Sequence, residues 1–355
     1  MKKTMTILLS LSLLVLLISG CAGGTSESTA TPTASAAPTA TATPTEAPAT
    51  ETPAATEEPV TIRLGGLKGP TSIGMVKLLS DSEQGLSANQ YEYTLAGSAD
   101  ELTPKLIQGE LDIAALPVNL GSVLWNNTDG AVQMLALNTL GVIYIVEMGG
   151  DEVQSMADLK GMTIYATGKG STPEYALTYL LTQNDLDPET DVTIEWKSEP
   201  SEVVALMSTM DHAVAMMPQP YVTVAQGQLT DLRVAVDMTA AWDALDNGSM
   251  FITAGLIVRT AFAEQYPQQL AAFLEEYKAS TTYANEDVAG TAALVEQFGI
   301  FKAAVAEKAI PACNITYIDG SEMKTALSGY LQILFDQNPK AVGGAMPGDS
   351  FYYGA

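Results

Sequence analysis

The chain has 355 residues, enough for two domains of ordinary size beyond any leader. It carries 16 Lys plus Arg against 41 Asp plus Glu, a net charge of −25. No basic patch is available to meet phosphates, which argues against a nucleic-acid partner.

The N-terminus reads as a targeting segment. Lys2 and Lys3 form a charged region, and Ile7 to Ile18 is an apolar run too short for an ordinary membrane span. Leu17-Ile18-Ser19-Gly20-Cys21 resembles the bacterial lipobox, which implies removal of residues 1–20 and lipidation of Cys21. Residues 25–59 contain Thr, Ala, Pro, Ser and Glu with no Val, Leu, Ile or aromatic residue. Such a stretch cannot bury apolar surface, and its prolines keep it extended, so residues 21–59 read as a lipidated, disordered tether. Membrane contact is then expected through the lipid alone. The tether length suits a thick wall, hence a Gram-positive cell and an outer-face location. With Cys21 lipidated, Cys313 has no disulfide partner and reads as a small buried residue.

From Val60 onward, strands and helices alternate, which predicts an α/β sheet. Strands are expected at 60–65, 91–96, 112–116, 132–137 and 142–147, with helices over 71–79, 98–108 and 119–125. Asp112–Leu116 is apolar beyond its first residue, as in a strand covered on both faces. A second lobe reads as 149–237, with strands at 163–166, 192–196, 213–217 and 232–236. A strand at 251–258 returns the chain to the first lobe, and 260–338 reads as helical throughout. The expected division is therefore 60–148 with 238–355 as one lobe, 149–237 as the other, and two hinge crossings.

The most informative stretch runs from Gly161 to Leu181. Thr163–Ala166 is a short β run, Gly168-Lys169-Gly170 breaks it, and Ser171 or Thr172 can cap the helix that Pro173 opens. A helix N-terminus presents unpaired N–H groups and favours anions. The loop is neither a Walker loop nor a dinucleotide fingerprint, since both spacings are absent. Thr61 to Ser72 repeats its plan: strand, glycines, a Lys-Gly pair, then Pro with hydroxyls. Gln108 to Pro117 likewise resembles Met210 to Pro218. Thr61 and Thr163 are 102 positions apart, Asp112 and Asp211 99 apart. The chain thus reads as two similar lobes aiming helix N-termini at one cleft.

Candidate ligand-binding residues follow from that geometry. Gly69, Thr71, Ser72, Ser171 and Thr172 lie at the two matching helix starts, where hydroxyls can donate to a ligand or cap the helix. Asn119 follows Pro117 and Gln219 follows Pro218 at matching strand ends, and Asn138 lies near the first crossing. Glu174 can pair with an amine or close a capping box. Tyr175 and Trp242, with Tyr144 and Tyr221, can stack on a planar ring or belong to the core. Lys68 and Lys169 can neutralise an anion or point to solvent. No His, Cys, Asp and Glu grouping has metal-ligand spacing, and no cofactor is expected. His212 reads as structural.

The lipobox, the Thr/Pro tether, Lys160-Gly161-Met162-Thr163-Ile164, Gly170-Ser171-Thr172-Pro173-Glu174-Tyr175 and Met217-Pro218-Gln219-Pro220 together resemble substrate-binding lipoproteins of ABC importers. The nearest group is the nitrate/sulfonate/taurine and thiamine-pyrimidine-precursor receptors. The resemblance implies a two-lobe type II periplasmic-binding-protein fold, no catalysis, a monomer, and delivery of a small molecule to an ABC permease and its ATPase. A ligand sensor of the same fold is an alternative reading. A pyrimidine-synthase-like enzyme is another, although its metal- and cofactor-binding motifs are missing.

Overall fold

The computed structural model describes residues 59–355, which belong to one compact unit. The targeting segment, Cys21 and the tether up to residue 58 lie outside the described residues. Eleven strands follow in order: β1 (Thr61–Leu67), β2 (Gln90–Ala96), β3 (Ile113–Pro117), β4 (Val132–Leu140), β5 (Ile143–Met148), β6 (Thr163–Thr167), β7 (Thr193–Lys197), β8 (Ala213–Pro218), β9 (Leu232–Asp237), β10 (Ile252–Arg259) and β11 (Ile315–Asp319). They form a six-stranded sheet in the order β11-β4-β10-β3-β1-β2 and a five-stranded sheet in the order β7-β6-β8-β5-β9.

The repeat read from sequence is visible in the strand order. β2-β1-β3 is parallel in the first sheet, as β7-β6-β8 is in the second. Beside each triplet lies one antiparallel strand taken from the other half of the chain. β10 pairs with β3 and β4, while β5 pairs with β8 and β9. Two crossings result: Gly141–Val142 and residues 238–251. This is the two-lobe clamshell expected from the sequence.

Three details differ from expectation. Residues 143–148, expected at the end of the first lobe, pair in the second sheet. β5 is buried along nearly its whole length, so its pattern does not reveal which sheet receives it. Within the stretch read as helical, β11 adds an edge strand against β4. The helix expected over 71–79 is two helices, Pro70–Ile73 and Val76–Glu83, separated at Gly74. A Cβ there would lie 3.1 Å from Tyr277 Oη and 3.2 Å from Ile315, so the break lets the backbone meet the long helix Pro267–Glu286.

A buried carboxylate fastens each sheet at one end. Asp112, just before β3, accepts from Arg63 Nε at 2.9 Å and from Arg259 Nη2 at 2.8 Å. Burial alone would raise its carboxyl, but the bonds from Arg63 and Arg259 outweigh this and hold it below the usual carboxylate range. Glu147 on β5 is fully buried and accepts from Arg233, from the N–H groups of Glu152 and Val153 at 3.1 and 3.2 Å, and lies 3.3 Å from His212 Nε2. Burial again acts upward, and these bonds again win. The three arginines of the chain are all used here.

Candidate ligand cleft

The strand ends opposite those carboxylates face each other across the lobes. β1, β2 and β3 deliver Leu67–Thr71, Gly97–Ala99 and Pro117 to one wall. β6, β7 and β8 deliver Thr167, Gly168, Ser171, Pro173, Ser198, Pro200, Pro218 and Gln219 to the other. Thr139, Val142, Ile143, Thr253 and Ala254, at or beside the crossings, also line the cleft. The cavity between the walls, partly open to solvent, measures about 150 Å³.

The turns themselves are stiff. Pro70, Pro173 and Pro200 each open a helix, where the absent proline N–H leaves nothing unsatisfied. Gly168 has φ +84°, and a Cβ on it would lie 2.7 Å from Pro173 Cγ. Only glycine fits that turn without strain. At three turns a glutamate from the following helix closes on the backbone. Glu101 accepts from Gly97 and Ser98 at 2.9 and 3.0 Å, Glu202 accepts from Ser198 at 3.0 Å, and Glu174 accepts from Gly170. The Gly170 N–H is thus occupied, and the capping box expected of Ser171 and Glu174 does not form, because Glu174 bonds Gly170 instead of the N-cap residue and Ser171 Oγ turns to Gly168 O.

The candidate residues divide clearly by position. Gly69, Thr71, Ser171 and Gln219 line the cleft. Thr71 Oγ1 is held by Leu67 at 3.2 Å, and Ser171 Oγ donates to Gly168 O at 2.8 Å. Ser72 is fully buried behind the wall, donating to Leu67 O and accepting from Tyr93. Thr172 is also fully buried and donates to Asn119 Oδ1 at 3.2 Å. Asn119 donates to Ala341 O at 3.0 Å and to Gly170 O at 3.4 Å, so its amide joins elements rather than lining the cavity. Asn138 lies inside the first lobe, where its Oδ1 accepts from Thr139 at 3.2 Å and its Nδ2 has no partner.

The aromatic candidates stand elsewhere. Tyr175 lines a surface groove with Trp196 on the second lobe. Trp242 is fully buried, stacked on Phe251 at 5.3 Å, and donates to Ser249 Oγ at 3.1 Å. Tyr221 packs edge-on against Phe301. Tyr144 donates to Ala312 O at 3.4 Å. None of the residues lining the cleft is aromatic. His212 sits at the far end of β8 with Glu147. Cys313 is fully buried, and burial pushes its thiol up.

Polar groups without a protein partner mark where a ligand can bond. Gln219 Oε1 accepts from Thr223 N and Oγ1 at 3.2 and 2.9 Å, which leaves Nε2 as a free donor. Thr253 is the extra residue of a bulge: Ile252 faces Leu140 and Ala254 faces Thr139. Bulges re-aim side chains, and Thr253 Oγ1 is shielded from solvent with no partner. Lys68 makes no ion pair among the described residues. Sequence reasoning missed Thr253 and Ser198. Ser198 could have been found by extending the repeat, since Ser98 and Ser198 follow β2 and β7 at an offset of 100.

Known proteins sharpen this picture. A family model described as the NMT1-like family matches residues 56–297. No curated protein matches the sequence. Among solved structures, an ABC transporter protein from Parabacteroides distasonis is 24% identical, with a TM-score of 0.67 over 82% of this chain and 98% of that one. The alkanesulfonate-binding protein SsuA from Xanthomonas axonopodis pv. citri, bound to MOPS, is 16% identical, with a TM-score of 0.65 over 82% and 96%. The periplasmic nitrate-binding protein NrtA from Synechocystis PCC 6803 is 13% identical, with a TM-score of 0.60 over 79% and 82%. These likenesses establish the shared two-lobe fold.

Proposed function

Since the chain belongs to the NMT1-like family, we propose that it is an extracytoplasmic solute-binding lipoprotein that captures a small polar or anionic molecule between its lobes. The observation that carries this reading is the cavity of about 150 Å³ lined by matching turns of both lobes. A cavity of that size accommodates a benzene-sized molecule. Solved proteins of this fold include ones named for sulfonate and nitrate binding, which supports the ligand class.

Binding without chemistry is the activity these side chains suit. Hydroxyls, one carboxamide and one ammonium line the cavity, while His212 and Cys313 lie away from it. The absence of aromatic lining favours a hydrogen-bond-accepting or anionic head over a heterocycle sandwiched between tyrosines. On this reading Cys21 carries the lipid, the tether spans the wall of a Gram-positive cell, and a monomer hands its ligand to an ABC permease driven by its ATPase. Among the described residues, no helix is long and apolar enough to cross a membrane.

The test is a thermal-shift screen of carboxylates, sulfonates, nitrate, pyrimidines and amines, followed by X-ray scattering with and without the best hit. Stabilisation by an acid, with a smaller radius of gyration when bound, is the expected result. Stabilisation by amines alone, or an unchanged radius at verified saturation, would count against the proposal.

A further inference from the structure

Lys68 is the one charged side chain that lines the cleft. Lys77, Lys160, Lys197, Lys302 and Lys324 each pair with an acidic residue. Lys68, like Lys105, Lys169, Lys278, Lys308 and Lys340, pairs with none among the described residues, and of these lysines Lys68 alone lines the cleft. Its position is fixed by backbone: Lys68 N–H donates to Ala96 O at 2.9 Å, prolonging the β1–β2 ladder to the cleft wall. Gly69 follows it, and the space where a Cβ would stand is open. Glu101, Glu174 and Glu202 direct their oxygens at peptide N–H groups of the turns themselves, while the Glu199 carboxylate lies against Gly97 and accepts from Ser201 Oγ at 3.1 Å.

We infer that Lys68 selects the charge of the ligand, so that the cleft takes a small organic monoanion with its acid group beside the ammonium. This rests on the reading of the cleft as a solute site. A second negative charge on the ligand would be desolvated with no counter-ion left in the lining, which is unfavourable. A ligand ammonium would meet Lys68 as a like charge. The uncharged part of the ligand lies against Pro117, Val142, Ile143 and Ala254, the apolar portion of the lining. That surface gives a bare inorganic ion nothing to bury.

The experiment compares matched probes by calorimetry on the full chain: benzoate with benzamide, butanoate with butanamide, and benzenesulfonate with benzenesulfonamide, plus the dianion phthalate. At least one anion is expected to bind about five- to tenfold more tightly than its amide, the scale of one charge-assisted hydrogen bond, and phthalate more weakly than benzoate. Lys68→Gln should abolish that preference, Lys68→Glu reverse it, and Lys68→Arg retain it, with ligand-free melting unchanged because the side chain is exposed. An undiminished preference in Lys68→Gln, or equal binding of acids and amides by the natural chain, overturns the charge assignment and leaves the solute cleft standing. If neither member of any pair binds, the solute cleft falls together with the assignment.

Discussion

Asn119 and Thr172 meet at 3.2 Å, one on the helix after β3 and the other on the helix after β6, so a side-chain bond links the two copies of the repeat. Asn119 also holds Gly170 O and Ala341 O, and both Asn119 and Thr172 are fully buried. Asn119→Ala should cost about 1–3 kcal/mol, because the buried Ala341 carbonyl and the Thr172 hydroxyl lose their partner. Thr172→Val should cost less. Urea titration of the two single variants and the double variant should give strongly non-additive losses. Simple additivity would mean that the bond carries no coupling between lobes.

Thr253→Val gives opposite signs for two measurements. The hydroxyl is shielded and unpartnered in the free protein, so its isosteric removal should leave stability unchanged or raise it by up to about 1 kcal/mol. Ligand affinity should fall in the same variant if Thr253 Oγ1 serves the ligand. Melting and titration on one sample decide the matter. Unchanged affinity would remove Thr253 from the site.

The crossings pack on each other. A Cβ on Gly141 would collide with Thr239 Oγ1 and lie 2.8 Å from Phe251, both in the second crossing. Gly141→Ala should therefore destabilise by about 1–3 kcal/mol and change the radius of the ligand-free protein. Wild-type stability and radius in this variant would show that the crossings move apart at no cost.

The two sheet-end carboxylates set an acid limit. Asp112 and Glu147 are both held below their ordinary range in the folded state. Their stabilisation is thus complete above the unfolded carboxylate pKa of about 4 and disappears as pH falls through the lower folded values. Arg233→Met should cost about 3 kcal/mol at neutral pH by leaving Glu147 buried without its cation. It should also flatten the acid limb, because a Glu147 no longer held low has less stability to lose on protonation. Denaturant titrations between neutral pH and about pH 3 would show it; an unchanged acid limb would exclude Glu147 as a contributor.

Much of the architecture could be read in advance because hydrophobic runs, glycines and prolines act locally. The Gly168 turn, the helix start at Ser98 and the offset between copies all survive in three dimensions. Partner choice was not legible. β5 looks the same whichever sheet it joins, and β11 is five residues inside a helical text. The same limit governed the candidate site. Sequence places a hydroxyl at a turn, but whether it faces a cavity, as Thr71 does, or a neighbouring tyrosine, as Ser72 does, depends on packing from residues far along the chain. Thr253 was invisible because it joins the cleft lining at a bulge, which leaves no composition signature.

With every guanidinium anchored at a sheet end, the one cation in the cleft lining is the flexible ammonium of Lys68. A guanidinium fork imposes planar, two-point geometry on its partner, whereas an ammonium is a point charge with rotatable donors. If Lys68 holds the acid group as proposed, the cleft reads the sign of an acid more sharply than its shape. Planar carboxylates and tetrahedral sulfonates that share one carbon skeleton should compete on near-equal terms, and selectivity among natural solutes should lie in the skeleton.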